Sequence, residues 1–253
     1  MINTKRLTVN ACNAEEVSVP TLSEIMDTNR SDKGTATGEA HGYTAYYERW
    51  LEALRNEPLR VLEIGVCDPR MPGASLKGWY EYFPHAKIFG YDIVDGHRFD
   101  NDRVVTFVGD QSDRRDLERF VEFSGGEFDV IIDDGSHRAM HQQVSLAYLF
   151  PHLKPGGQYI IEDMHVAPNT VRLLRGMQRN LPGDRTSGSD LARRIKAFTT
   201  AARDGALLFP VFGVWPRAPY IAPHEVEEIR TNTTRLDLVC DNKLARFIKK
   251  REG

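Results

Sequence analysis

Residues 131–137 read IIDDGSH. Two stiff apolar residues run into two adjacent carboxylates, a turn glycine, a serine and a histidine. Carboxylates at the end of a buried strand can hold a cation, and a histidine three residues on can move a proton beside it. A strand-to-helix loop with ordinary turn and capping residues uses the same residue types. The elements that position these side chains therefore have to decide.

Four segments read as buried parallel strands: RVLEIGV (60–66), KIFGYDI (87–93), FDVIIDD (128–134) and GQYIIED (157–163). Each is short, rich in Val, Ile or Phe, and ends near an acid or a glycine. Helix-like stretches at 73–83, 113–123 and 138–150 lie between them, and the turn KPGG stands ahead of the fourth strand. Strand alternating with helix is the pattern of a doubly wound α/β sheet, which binds ligands at the carboxyl ends of its strands. Glu63, Asp92, Asp133, Asp134, Glu162 and Asp163 all fall at or near that edge.

Ahead of the first strand, TAYYERWLEALR (44–55) reads as an amphipathic helix with Trp50 on its core face, while Tyr46 and Tyr47 belong either to that face or to the border of the pocket. The loop-like NRSDKGTATGEAHGY (29–43) is long enough to cover the ligand crevice. Residues 1–55 are therefore read as a helical and lid segment, and 56–253 as the main domain. Residues 189–203 look helical, and LLFPVFGVW (207–215) is core, a subunit contact, or an apolar cover for a ligand through Phe209, Phe212 and Trp215. TRLDLVC and LARFIKK, joined by Asp241–Asn242–Lys243, read as an antiparallel hairpin closing the sheet.

The 253 residues are 41% hydrophobic and 27% charged, with a formal charge of −3, an ordinary globular composition without the basic footprint of a nucleic-acid binder. Cys12, Cys67 and Cys240 lie far apart, which argues against a zinc site or disulfide framework and suits a reducing cytoplasm. The opening residues MINTKRLTVNACNAEE lack a signal peptide's apolar core, and no run approaches the ~20 apolar residues that span a bilayer. A cytoplasmic protein without a membrane partner is expected.

The dinucleotide fingerprint G-x-G-x-x-G is absent, because EIGVCDPRMPGAS has Gly65 but no glycine at the second position. This turn suits S-adenosylmethionine better. That cofactor has no pyrophosphate to cradle, and it carries an ammonium and a sulfonium that carboxylates can meet. Asp92, ending the second strand, is placed to accept hydrogen bonds from two ribose hydroxyls, a role that NAD-binding proteins share. An NAD-dependent dehydrogenase is the weaker alternative.

VLEIGV, GASL (73–76), GYDI (90–93), GDQSD (109–113), DVIIDDGSH, LFPHLKPGG and YIIEDMH together resemble the macrocin/mycinamicin O-methyltransferase family. That family includes sugar O-methyltransferases of antibiotic biosynthesis and the cephalosporin hydroxylase-like proteins. SDKG (31–34), His41, Tyr43 and Tyr47 extend the resemblance, which covers 29–165 and weakens from 166 onward. It implies a Rossmann-like class I methyltransferase fold, S-adenosylmethionine as cofactor, and a homo-oligomer. The acceptor would be a glycosylated small molecule whose binding site is formed by about 166–220. Glu63, Gly65, Ser75, Asp92, Asp110, Gln111 and Asp133 are the expected cofactor-binding residues, with Asp110 and Gln111 beside the adenine. Asp133 either touches the cofactor or orients the loop.

The same resemblance implies a divalent metal, usually Mg²⁺, on Asp134, Glu162 and Asp163. Hard dications prefer oxygen ligands, and without a cation three gathered carboxylates would raise one another's pKa. Two vicinal sugar oxygens would chelate that ion while His137 acts as general base. Asp134 and His137 are thus the expected catalytic pair. His141, four residues beyond His137, could form a zinc pair with it, but the surrounding acids favour a harder ion. His165 reads as a solvated loop residue. Lys33, His41 and Tyr43 could border the pocket or a subunit contact. A non-catalytic reading also stands, in which the chain is a cofactor-binding component working with a partner protein.

Overall fold

The computed structural model describes residues 19–38, 40–181 and 220–251. The expected helix at 189–203, the run at 207–215 and most of the acceptor region lie outside the described residues.

The centre is a seven-stranded sheet in the order β3-β2-β1-β4-β5-β7-β6. Its strands are β1 (Arg60–Ile64), β2 (Lys87–Asp92), β3 (Val104–Val108), β4 (Phe128–Asp133), β5 (Leu153–Ile161), β6 (Thr233–Val239) and β7 (Leu244–Lys249). The first five run parallel, and β7 pairs antiparallel with both β5 and β6. The expected sheet and C-terminal hairpin both form. The turn between β6 and β7 places Cys240, Asp241 and Asn242 at positive φ. VVTFV was not anticipated as a strand; it forms the edge beside β2.

Strand periodicity divides the apolar residues between two cores. Leu62, Phe89, Ile131 and Tyr159 point to one face. There they meet α4 (Arg114–Ser124), α5 (Ala139–Leu149) and α6 (Pro168–Gln178). On the same face, α7 (Pro223–Thr231) contributes Ile229. Their neighbours Val61, Ile88, Ile132 and Ile160 point to the opposite face, as period-2 side chains must. That face is covered by α1 (Leu22–Thr28), α2 (Thr44–Leu51) and α3 (Ala74–Tyr82). Among the described residues no helix is long and apolar enough to cross a membrane.

Local sequence explains where the helices begin and end. Thr21 and Glu24 form a capping box at α1, and the Asp113 side chain caps α4, which ends at left-handed Gly125. Met26 of α1 is fully buried and rests on Gly78 of α3, where an added Cβ would stand 2.4 Å from its sulfur. Tyr43, Tyr47 and Leu51 are also fully buried, and Trp50 packs with them as expected. The described N-terminal segment therefore shares the core of the domain it was expected to cover as a lid.

Met26→Ala should lower stability by about 2–5 kcal/mol, the usual cost of emptying a buried methionine site. Urea unfolding should still show one transition at a lower midpoint; a separate early transition would mean that α1 docks as an independent unit.

Candidate active site

A cavity of about 1090 Å³ opens at the carboxyl ends of β1, β2 and β4. Its wall includes Gly65, Ser75, Asp92, Asp110, Gln111, Asp134, His137 and Asp163 from the expected set, together with His41, Cys67, Ser136 and His141. Gly65 has φ +86, and an added Cβ would lie 2.1 Å from the Asp134 carbonyl oxygen. The glycine therefore lets the β1 and β4 loops approach where any side chain would part them. Asp92 accepts backbone N–H bonds from Val66, Cys67 and Val94 at 2.8–2.9 Å, so it fixes the floor of the cavity.

The two adjacent aspartates of IIDDGSH separate because strand side chains alternate. Asp133 follows Ile131 to the α5 face, where it is fully buried. It accepts hydrogen bonds from Ser145, from Gln111 at 3.0 Å and from Tyr159 at 3.3 Å. Burial raises its pKa, with Ser145 and Gln111 opposing. Gln111 also accepts from the Ser136 backbone N–H at 2.7 Å, which ties the loop to the strand below it. Of the two readings of Asp133, the hydrogen bonds through Gln111 to Ser136 correspond to the one in which it orients the loop.

Asp134 turns the other way, into a buried cluster that the sequence did not define. Lys33, 1% exposed, donates to Asp134 and lies 3.0 Å from Glu162 and 3.3 Å from Glu63. Burial alone would depress the ammonium, but Asp134, Glu162 and Glu63 outweigh it and hold Lys33 well above the ordinary lysine range. Glu63 also accepts from Ser75 at 2.7 Å, and Glu162 accepts from Tyr47 at 2.5 Å. Burial pushes Glu162 up to about 7 against the pull of Lys33 and Tyr47. Glu63, expected at the cofactor, and Glu162, expected at the metal, thus both face the Lys33 ammonium.

Asp163 is aimed forward by left-handed backbone, with φ 50. It accepts from Tyr43, and three imidazoles surround it: His41 at 3.4 Å, His137 at 3.7 Å and His165 at 3.8 Å. His165 is half-exposed, as expected of a loop residue. His137 also has left-handed backbone (φ 57), and its Nδ1 is buried without a hydrogen-bond partner among the described residues. Burial lowers its pKa, partly offset by Asp163 and Asp133. Its ring is therefore biased toward the neutral form that can accept a proton.

Asp134, His137 and Asp163 each offer a ligand atom, and these lie within 4.8 Å of one another. The two carboxylates fit a hard divalent cation, and the imidazole beside them keeps a buried nitrogen without a partner among the described residues. His141 faces Ser136 at 2.8 Å instead and stands outside this group, so the zinc pair with His137 does not form.

A mostly parallel sheet in this strand order, closed by an antiparallel hairpin, with an acid ending β2 and a ligand crevice above β1 and β4, defines a class I methyltransferase fold. Over 92% of its length the chain superposes on 55% of MycE methyltransferase from the mycinamycin biosynthetic pathway, with a TM-score of 0.62 and 30% identity; that structure is a complex with Mg, SAH and mycinamycin VI. In sequence the chain is 43% identical over 151 residues to mycinamicin VI 2''-O-methyltransferase of Micromonospora griseorubida. It is 40% identical over 151 residues to demethylmacrocin O-methyltransferase of Streptomyces fradiae. Each match covers 58% of this chain and 37% of the relative, so the chain spans well under half the length of the curated relatives it matches. No protein-family model matches the chain. The relatives are sugar O-methyltransferases of antibiotic pathways, which bears out the resemblance carried by the motifs.

Gly65→Ala should cost about 1–3 kcal/mol from left-handed backbone alone, and more from the contact with the Asp134 carbonyl. Thermal melting should reveal the loss; a variant as stable as wild type would show that the β1 and β4 loops separate freely.

Proposed function

We propose that the chain is an S-adenosylmethionine-dependent O-methyltransferase that uses a divalent cation, Mg²⁺ or a similar hard ion, and methylates a sugar hydroxyl of a glycosylated secondary metabolite. The observation that carries this reading is the convergence of Asp134, His137 and Asp163 within 4.8 Å on the wall of the large cavity. The same reading makes it a cytoplasmic homo-oligomer acting on a diffusible small molecule rather than on nucleic acid or a membrane.

Asp134 and Asp163 would hold the cation, with Glu162 buttressing them through Lys33. A dication there supplies positive charge that acidifies a nearby hydroxyl. His137, kept neutral by burial, takes the acceptor proton, and the freed oxygen attacks the donor methyl as its bond to sulfur breaks. Asp92 holds the Val66–Cys67 turn under the donor, while Asp110 and Gln111 border the same cavity. Tyr43 and His41 keep the Asp163 carboxylate oriented. Aligning donor and acceptor in one cavity supplies much of the rate, about 7–11 kcal/mol at best.

The test is methyl transfer from labelled S-adenosylmethionine to a panel of desmethyl macrolide and tetracenomycin glycosides, read as the mass gain of one methyl group. Activity should vanish with EDTA and return with Mg²⁺. His137→Ala should lose about 10²–10⁴-fold in turnover while donor affinity holds. Methyl transfer undiminished by thorough metal removal would reject the cation, and unchanged turnover in His137→Ala would remove the base.

A further inference from the structure

Lys33 is the least expected feature of the molecule. A lysine from a glycine- and serine-rich loop is buried to 1% exposure, with its ammonium among Glu63, Asp134 and Glu162. Fully buried lysines are rare unless paired, and this one meets three carboxylates. One of them, Asp134, is also a cavity-wall donor in the group formed with His137 and Asp163. A single fixed positive charge therefore touches the acidic shell from behind, at the point where a dication would approach it from the front.

We infer that Lys33 is a resident counter-charge for the metal-binding shell: it keeps the carboxylates assembled when no cation is bound and weakens the cation's hold so that the ion exchanges. The inference rests on the divalent-cation reading above. Two consequences of opposite sign follow from Coulomb's law. Without a dication, Lys33 offsets repulsion among Glu63, Asp134 and Glu162 that burial makes costly. Once a dication is present, the same ammonium repels it and competes for the Asp134 carboxylate. A lysine with only a packing role would stabilise both states alike. Tyr47 and Tyr43 serve the shell without this antagonism, because each donates one hydroxyl proton, to Glu162 and Asp163, and brings no net charge.

The experiment compares wild type with Lys33→Met, which keeps the stem and removes the charge, and with Lys33→Arg, which keeps the charge. Melting in EDTA reports the metal-free protein, and calorimetric titration with MgCl₂ alone reports cation affinity. Lys33→Met should melt well below wild type in EDTA yet bind Mg²⁺ about tenfold or more tightly, with the larger thermal stabilisation on adding it. Lys33→Arg should return the Mg²⁺ affinity toward the wild-type value. If Lys33→Met does not fold without metal, the comparison moves into a Glu63→Gln background. There, one buried carboxylate is already gone, and loss of Lys33 should again tighten Mg²⁺ binding. Wild type that binds Mg²⁺ while Lys33→Met binds no more tightly overturns this inference alone. No Mg²⁺ binding by any of the proteins overturns the cation reading and this inference together.

Discussion

The organising constraint is electrostatic: carboxylates crowd one end of a sheet, and the fold has to hold them there. Glu63, Asp134 and Glu162 are brought together by strand pairing that also buries the main chain beneath them. Gathered out of water, like charges would repel, raise one another's pKa, or drive the loops apart. The N-terminal segment prevents this with one ammonium and two phenols, from Lys33, Tyr43 and Tyr47. Packing and electrostatics support each other here. The helix that carries Tyr47 reaches the acids only because Trp50 and Leu51 are sunk in the core shared with α3 and β2. The described N-terminal segment therefore belongs both to the core and to the acidic cluster.

Much of the architecture was legible because periodicity is a local signal. Short runs rich in Val, Ile and Phe marked four strands and the edge where their acids collect, and within them Val61, Ile88, Ile132 and Ile160 alternate with partners on the other face. β3 escaped because VVTFV is short and follows a polar stretch without a turn signature strong enough to set it off. The same alternation, carried two residues further, also holds information about the site. Glu63 shares the face of Val61, Asp134 that of Ile132, and Glu162 that of Ile160, whereas Asp133 shares the face of Ile131. The split between Asp133 and Asp134 was thus available in the sequence. Lys33 was not. Nothing in the local composition of SDKG says that its lysine will reach Asp134 across 101 positions of chain.

Glu162 and Asp163 show how adjacent acids of one motif acquire different neighbours. The two are adjacent, yet the chain bends between them: Asp163 adopts left-handed backbone, so its carboxylate enters the cavity while that of Glu162 stays with Lys33 and Tyr47. His137 reaches the cavity by the same device. Asp tolerates this conformation better than most residues, and histidine is among the side chains enriched there. Asp163 lies two residues past β5 and His137 four residues past β4, each in a loop leaving a strand fixed by the sheet, where reversed φ aims the side chain at the cavity.

Left-handed backbone at ordinary residues costs about 1–3 kcal/mol each and persists only where the surroundings over-determine it. Those surroundings are the hydrogen bonds already described: Gln111 grips the DDGSH loop through the Ser136 N–H, and Tyr43 grips Asp163. The strain is thus offset when the chain folds, before any ligand arrives. Under the proposed reaction such a site need not order His137 and its carboxylates during turnover, and ordering reactive groups in advance is a large part of what an active site contributes to rate. The buried ammonium extends the same logic to charge. It holds the carboxylates together by itself, so that a cation of the kind proposed would add charge to a geometry already in place.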